Sequence, residues 1–465
     1  MGMDVRMPST RANNDSAGPR APRLTVLHAL AAAIDFDRYF QWRRAREGDP
    51  FFVRFPGFGA ALFTGTAVGA REVFRAPIES TQPPRPNPIE PMVGAASLIL
   101  ASGERHRRGR ALLAPAFHSV RIREHGELIR DATMRELTGE SGRAWVAGAR
   151  IDARAAARAL TLRVISTVVL GVDDAQRRAE YTAAVIDFLT AFSGPLLLVP
   201  ALRHGVFGHG PWDRFRTARA RLDRLIRAEI ARRRQTVDAH PTDVLGLLLS
   251  ADAGEPAAGT DDELCDQVRT LLVAGHETTA TALVWALFRL HRAPDVLARL
   301  RAELRDAGPG ASAMELAGLP YLDAVCQETL RLHPPVPIVL RQLTEPYTLR
   351  DVELAPGDTM GIAVPLLHSD PDVWSDAARF DPSRFTDRRY RPFEFAPFGG
   401  GHRRCVGAAL ADYELRIALA TILGQKHLRL SPRYARGRVP VSVAHNIASG
   451  PHRPIMFDVV SDVPH

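Results

Sequence analysis

Apolar positions along this chain recur mostly at helical spacing, broken by a few short runs in which they alternate or are continuous. Repeats at three and four residues predict helices over 37–46, 67–75, 122–137, 153–170, 180–192, 212–234 and 244–251. A longer one runs from about 261 to 292, and another opens at Gly103 and continues through Leu112, Leu113 and Phe117. A last helix follows Gly407, with Ala408, Leu410, Leu415, Ile417 and Leu423 as its apolar positions. The runs 51–55 and 60–63, divided by Pro56-Gly57, predict a hairpin. The runs 336–340, 347–354 and 359–364, with turn chemistry at Pro356-Gly357-Asp358, predict a small sheet. The expected fold class is therefore mainly α with a smaller β region. No linker, charge block or repeat divides the chain, so residues 23–465 read as a single large domain. Residues 1–22 are polar and rich in Pro, Arg, Asn and Ser, a composition that predicts disorder.

Three stretches depart from this pattern. Residues 77–102 hold six prolines and no clear period, and a loop of that length inside a compact domain is functional or disordered. Its apolar positions are Met92, Val93, Leu98, Ile99 and Leu100. Gly194-Pro195-Leu196-Leu197-Leu198-Val199-Pro200 is an apolar connector between two helices. The long helix carries Ala274-Gly275-His276-Glu277-Thr278-Thr279. An interior glycine costs about 1 kcal/mol against alanine, and adjacent threonines weaken the backbone ladder further. A turn loosened in this way leaves room for a diatomic ligand and a water. Glu277 beside Thr278 sets an acid next to a hydroxyl, a pair able to pass protons inward.

Composition narrows the compartment and the partners. The formal charge of +8 comes almost wholly from arginine, Lys426 being the single lysine. The charges are scattered and no recognition motif accompanies them, which argues against nucleic acid and for an acidic protein partner. Cys265, Cys326 and Cys405 form neither a disulfide framework nor zinc spacing, so a reducing, cytoplasmic setting is expected. The apolar run 24–34 is far shorter than the roughly 20 residues that span a bilayer, so no membrane span is expected.

The chemistry concentrates in Phe398-Gly-Gly-Gly-His-Arg-Arg-Cys405-Val-Gly407. Glycines admit a flat ligand close to the backbone, and nearby arginines and N–H groups favour a thiolate. Elsewhere, His106 and Arg110 share a helical face, as do Glu328 and Arg331. Together these motifs resemble the cytochromes P450, the haem-thiolate monooxygenases. The resemblance implies haem b with Cys405 as its axial thiolate and metal ligand, in a loop shaped by Phe398, Gly401, Arg403 and Gly407. It places His106, Arg110 and Arg341 on the haem propionates, and Ala274, Gly275, Glu277 and Thr278 at the oxygen-activating turn, with Glu277 and Thr278 as the catalytic pair. Glu328, Arg331 and Arg384 become a buried ion network that supports the cysteine loop. Residues 77–102 and the 194–202 connector become pocket cover and substrate lid. The tail 440–454, with His445, Asn446 and His452, departs from the family pattern.

The implied activity is insertion of one oxygen atom from O2 into a lipophilic small molecule: a fatty acid, a terpenoid or a polyketide-like compound. Electrons would come from a separate acidic ferredoxin or flavodoxin with its reductase, docking near Arg107, Arg108 and Arg404. The alternative within the same chemistry is a peroxide-driven peroxygenase or an isomerase.

Overall fold

The computed structural model describes residues 35–463 apart from 56–58, 141, 173, 193–195, 198, 200–201, 207, 236–241, 252–259 and 446. The N-terminal segment, the run 24–34 and the Pro56-Gly57 turn lie outside the described residues, as does part of the 194–202 connector. Helices of eight residues or more are numbered α1 (Phe36–Glu47), α2 (Ala67–Arg75), α3 (Gly103–Leu113), α4 (Gly126–Leu137), α5 (Ala153–Leu170), α6 (Ala175–Ala191), α7 (Pro211–Gln235), α8 (Val244–Ala251), α9 (Asp261–Leu290), α10 (Pro294–Ala307), α11 (Pro320–Leu332) and α12 (Ala408–Gln425). The strands are β1 (Phe51–Phe55), β2 (Gly59–Thr64), β3 (Thr81–Gln82), β4 (Arg150–Asp152), β5 (Ile338–Leu343), β6 (Tyr347–Leu349), β7 (Val352–Leu354), β8 (Thr359–Ala363), β9 (Lys426–Leu430), β10 (Ser442–His445), β11 (Ala448–Pro451) and β12 (Met456–Asp462).

α9 is the axis of the molecule. A capping box between Thr260 and Glu263 starts it, and Asp261, Asp262 and Glu263 complement the positive end of its dipole. Beyond the first turn it is buried almost all round, as expected of a helix with no polar face. Among the described helices it alone is long and apolar enough to cross a membrane, and 83% of its apolar window is buried inside the fold. α5 lies along it, started by Asp152, whose carboxylate accepts from the N–H groups of Arg154 and Ala155, and stopped by Gly171 in the left-handed conformation. α12 packs on α9 from another side, so the helix that follows the cysteine loop is fixed to the centre of the core.

The main sheet has the order β1-β2-β8-β5-β3. β1 and β2 form the expected antiparallel hairpin, with Phe51 opposite Phe63, while β2 pairs with β8 in parallel. β9, β12 and β4 make a second, three-stranded sheet, and β6–β7 and β10–β11 are separate hairpins. The strand expected over 336–340 begins later, at Ile338, because Pro335 and Pro337 have no N–H to pair. The helix expected over 122–137 breaks at His125, where Gly126 lies so close to Tyr413 that a Cβ would sit 2.8 Å from its hydroxyl. The proline-rich stretch 77–102 is ordered: it contributes β3 and a helical turn, Glu90–Val93.

That stretch is tied down by one end of α9. Gln267 donates to Ala96 O (2.8 Å) and accepts from the Leu98 N–H (3.2 Å), and Asp266 accepts from the Ala96 N–H (3.1 Å). Arg269 donates to Met92 O (2.9 Å), and Thr270 to Val93 O (3.3 Å). Met92, Val93, Leu98 and Leu100 turn inward, leaving Ile99 partly exposed.

Candidate functional site

The cysteine loop is built from backbone bonds that only glycine permits in places. Gly399 and Gly401 take φ of 67° and 65°, and a Cβ on Gly401 would sit 2.3 Å from Phe74 O. The Cys405 N–H donates to Phe398 O at 2.9 Å, closing the loop, and Gly407 precedes the first residue of α12. Cys405 is solvent-accessible yet closely surrounded. That crowding pushes its thiol up, while the Gly407 N–H, Arg404 and Arg110 pull it down. Cys265 and Cys326 are buried, and burial drives Cys265 to about 12 and Cys326 well upward. Only one of the three cysteines is placed to serve as a ligand.

A chain of hydrogen bonds supports this loop from the far side. Glu328 accepts from Arg331 through both oxygens, at 2.6 and 2.8 Å, and Arg384 lies 3.6 Å from the same carboxylate. Arg331 also donates to His368 O (2.9 Å). His368 accepts from the Ala396 N–H through Nε2 (2.9 Å), so its Nδ1–H donates to Arg331 O (3.0 Å). Ala396 O in turn accepts from the Gly399 N–H (3.0 Å). The ion network thus reaches the cysteine loop through a single imidazole.

Beside the loop lies a group of cations without acids. Arg341 is buried and donates only to carbonyls, Leu340 O at 2.9 Å and Gly400 O at 3.5 Å. Arg403 donates to Ala101 O (2.6 Å) and Arg110 to Arg404 O (2.5 Å). The Nε atoms of Arg341 and Arg403 and the Nδ1 of His106 are buried without a partner. Among the described residues none of these three arginines has a carboxylate within salt-bridge distance. Burial, then neighbouring arginines, lower Arg341 to about 9 and Arg403 to about 10; the same causes take His106 to about 3. Buried positive groups of this kind are costly unless something anionic joins them. The propionate carboxylates of haem would fit that need, and the thiol of Cys405 could serve as a ligand to its iron. His402 belongs to the same group: its ring stands edge-on to His106 at 5.9 Å. His402 receives no role from sequence alone, although its signal, a second histidine in a basic loop, is present there.

On α9, Ala274, Gly275 and Thr278 are partly accessible, while His276, Glu277 and Thr279 are buried. The helix continues unbroken through this turn. The bare Cα of Gly275 meets α5, where a Cβ would lie 2.5 Å from the end of the Ile165 side chain. Here the glycine serves close helix packing, not the loosened turn expected from sequence. Thr278 donates to Ala274 O at 2.7 Å. Glu277 turns the other way, into the fork of Arg158 (2.8 Å to each oxygen), with Arg154 at 3.7 Å. The two residues are thus adjacent in sequence but bonded to different partners. Arg154 and Arg158 were missed by sequence reading; their signal was two arginines four apart in an alanine-rich helix.

At the surface Arg107 differs from expectation. It is held by Glu79 (2.8 Å) and Glu104 (2.5 Å), so its charge is already offset, whereas Arg108 and Arg404 are exposed.

Comparison with known proteins gives a consistent result. The family model described as Cytochrome P450 matches residues 18–436. Putative cytochrome P450 135B1 of Mycobacterium tuberculosis is 33% identical over 438 residues, covering 94% of this chain and 90% of its own. Putative cytochrome P450 138 from the same species is 31% identical over 423 residues, covering 90% of each. Among solved structures, retinoic acid-bound cyanobacterial CYP120A1 superposes with a TM-score of 0.79 at 27% identity, covering 94% of this chain and 96% of that one.

Proposed function

We propose that this chain, which belongs to the cytochrome P450 family and is a haem-thiolate monooxygenase, acts on a lipophilic small molecule with electrons from a separate acidic ferredoxin or flavodoxin. The observation that carries the reading is an accessible Cys405 beside Arg110, Arg341 and Arg403, which among the described residues have no carboxylate partner, in a molecule whose central helix is accessible between Val268 and Phe288 only at Ala274, Gly275 and Thr278. Cys405 would hold the haem iron through its thiolate; His106, Arg110, Arg341 and Arg403 would hold the propionates, and Phe398, Gly401 and Gly407 shape the loop. Bound haem supplies a reducible iron for activating O2, with electron density from the thiolate.

The remaining steps belong to side chains. The partly exposed Ile99 and the half-buried Ile338, Val339 and Leu340 are apolar, in keeping with a lipophilic substrate. The retinoic acid-bound relative points the same way. Thr278 holds its proton on Ala274 O and can redirect it by rotating about one bond. Glu277 can serve it only after its carboxylate leaves Arg158, whose side chain is 40% exposed and so links the acid to solvent. Arg108 and Arg404 offer exposed charge for an acidic partner. Three free cysteines suit a reducing cytoplasm.

The test is Thr278→Ala in holoenzyme supplied with reductase, ferredoxin and a lipophilic ligand that shifts the haem spin state. Substrate binding should persist while electrons are diverted to hydrogen peroxide. Equal coupling in variant and parent would remove Thr278 from the mechanism.

A further inference from the structure

We propose that His402 is a proton-linked member of the carboxylate clamp: Thr81 fixes one ring nitrogen, and the other takes up a proton when haem binds and again favours it when the iron is reduced. This rests on the haem-thiolate reading and concerns a residue to which the family resemblance gives no role.

His402 sits in the helical turn Gly401–Arg403, three residues before Cys405. Its Nε2 lies 3.5 Å from Thr81 Oγ1. The Thr81 hydroxyl already donates its one proton to Pro77 O at 3.0 Å. The proton in the contact with His402 must therefore come from the imidazole, which makes Nε2–H the donor and leaves Nδ1 with the lone pair. The charged neighbours on the cluster side are all cations, Arg110 from α3, Arg341 from β5 and Arg403 from the loop itself, while the neutral ring of His106 stands edge-on. From α2 only the ring and carbonyl of Phe74 reach the loop, at Gly400 and Gly401. The single acid that faces His402 is Glu79, which is half-exposed and bridged to Arg107. Burial and the surrounding arginines hold His402 at about 4, so without an anionic ligand it is neutral at neutral pH.

A propionate placed in this cluster reverses the balance. A carboxylate beside an imidazole favours its charged form, and a bare Nδ1 lone pair facing a carboxylate is tolerable only when protonated. One electron delivered to the iron removes one positive charge nearby and raises the proton affinity further. Between the two proton affinities, reduction is accompanied by uptake of one proton from solvent onto Nδ1, so the potential falls as pH rises.

The experiment is a spectroelectrochemical titration of holoenzyme between about pH 5 and 8. Only preparations that show the thiolate-type reduced-CO band are used, so that failure of the haem-ligand reading appears separately as loss of that band. For the parent protein a tenfold difference in proton affinity between the two redox states corresponds to a fall of about 59 mV across the interval. His402→Gln keeps a donor toward Thr81 but cannot titrate, and its potential should be flat over the same range. An unchanged slope in that variant overturns the proposal. Should His402→Gln fail to retain haem, Thr81→Val decides, because loss of the acceptor moves the pH interval if His402 carries the proton. An interval identical to the parent's overturns the proposal equally.

Discussion

Two sets of buried arginines divide the molecule. Arg269 and Arg331 are 0% and 1% exposed, and Arg341 is 5% exposed. Arg269 is bonded to Asp223, Asp266 and Met92 O; Arg331 is bonded to Glu328 and to the carbonyls of His368 and Arg379. Arg341 and Arg403 see only carbonyls, and each keeps a bare Nε. Similar burial of Arg331 and Arg341 with opposite charge compensation separates the scaffold from the proposed binding site. Arg269 and Arg331 have their acids within the fold, whereas for Arg341 and Arg403 the proposed haem would bring them.

The sharpest way to break this comparison is to remove one arginine from each set. Arg331→Met leaves Glu328 buried with only Arg384 nearby, and should cost about 3–5 kcal/mol in denaturant unfolding. Haem incorporation should fall with it, since His368 carries the link to the cysteine loop. Arg341→Met should act with the opposite sign on the haem-free protein, making it up to about 1–4 kcal/mol more stable. In the holoprotein it should speed haem loss to an acceptor globin. Destabilisation of the same size and sign in both variants would erase the distinction.

A smaller effect concerns pH. His106 stays neutral in the fold down to about pH 3, whereas its ordinary value is 6.5. Between those limits the unfolded chain binds more protons, so stability falls as pH drops through the window and is level above it. The slope is at most about 1.4 kcal/mol per pH unit for each such histidine. His276 and His368, also lowered to about 3, act with the same sign. His106→Gln should therefore flatten the acid limb of haem-free unfolding only in part, and an unaltered limb would show that His106 does not contribute.

The smallest effect is at the surface, where Arg107 and Arg108 repeat the contrast in solvent. Arg108→Glu should slow reduction by an acidic ferredoxin at low salt more than Arg107→Glu, whose charge is already offset by Glu79 and Glu104. Stopped-flow rates in the reverse order would relocate the docking face.

Much of the frame was legible from spacing. The helices 67–75, 153–170 and 244–251 appear with the predicted bounds, because each carries an apolar face with clear ends. The cysteine loop and the Glu328–Arg331 pair were legible because their partners are close in sequence. Partner choice over distance was not. Glu277 and Arg158 are 119 residues apart, and no local pattern says that the acid beside Thr278 will turn toward α5. β9 and β12 escaped for a related reason: Lys426-His427-Leu428-Arg429-Leu430 becomes a strand only by pairing with the chain's last segment.

The tethers between α9 and the proline-rich segment carry a mechanical implication. Asp266, Gln267, Arg269 and Thr270 grip residues 92–98, and Thr278 stands about two turns further along the same helix. A guest molecule that lifts the segment must either sever five hydrogen bonds at once or drag the helix with it. The segment proposed to cover the substrate and the hydroxyl proposed to handle protons are therefore mounted on one stiff rod, and coupling between them would need no relay beyond the rod itself.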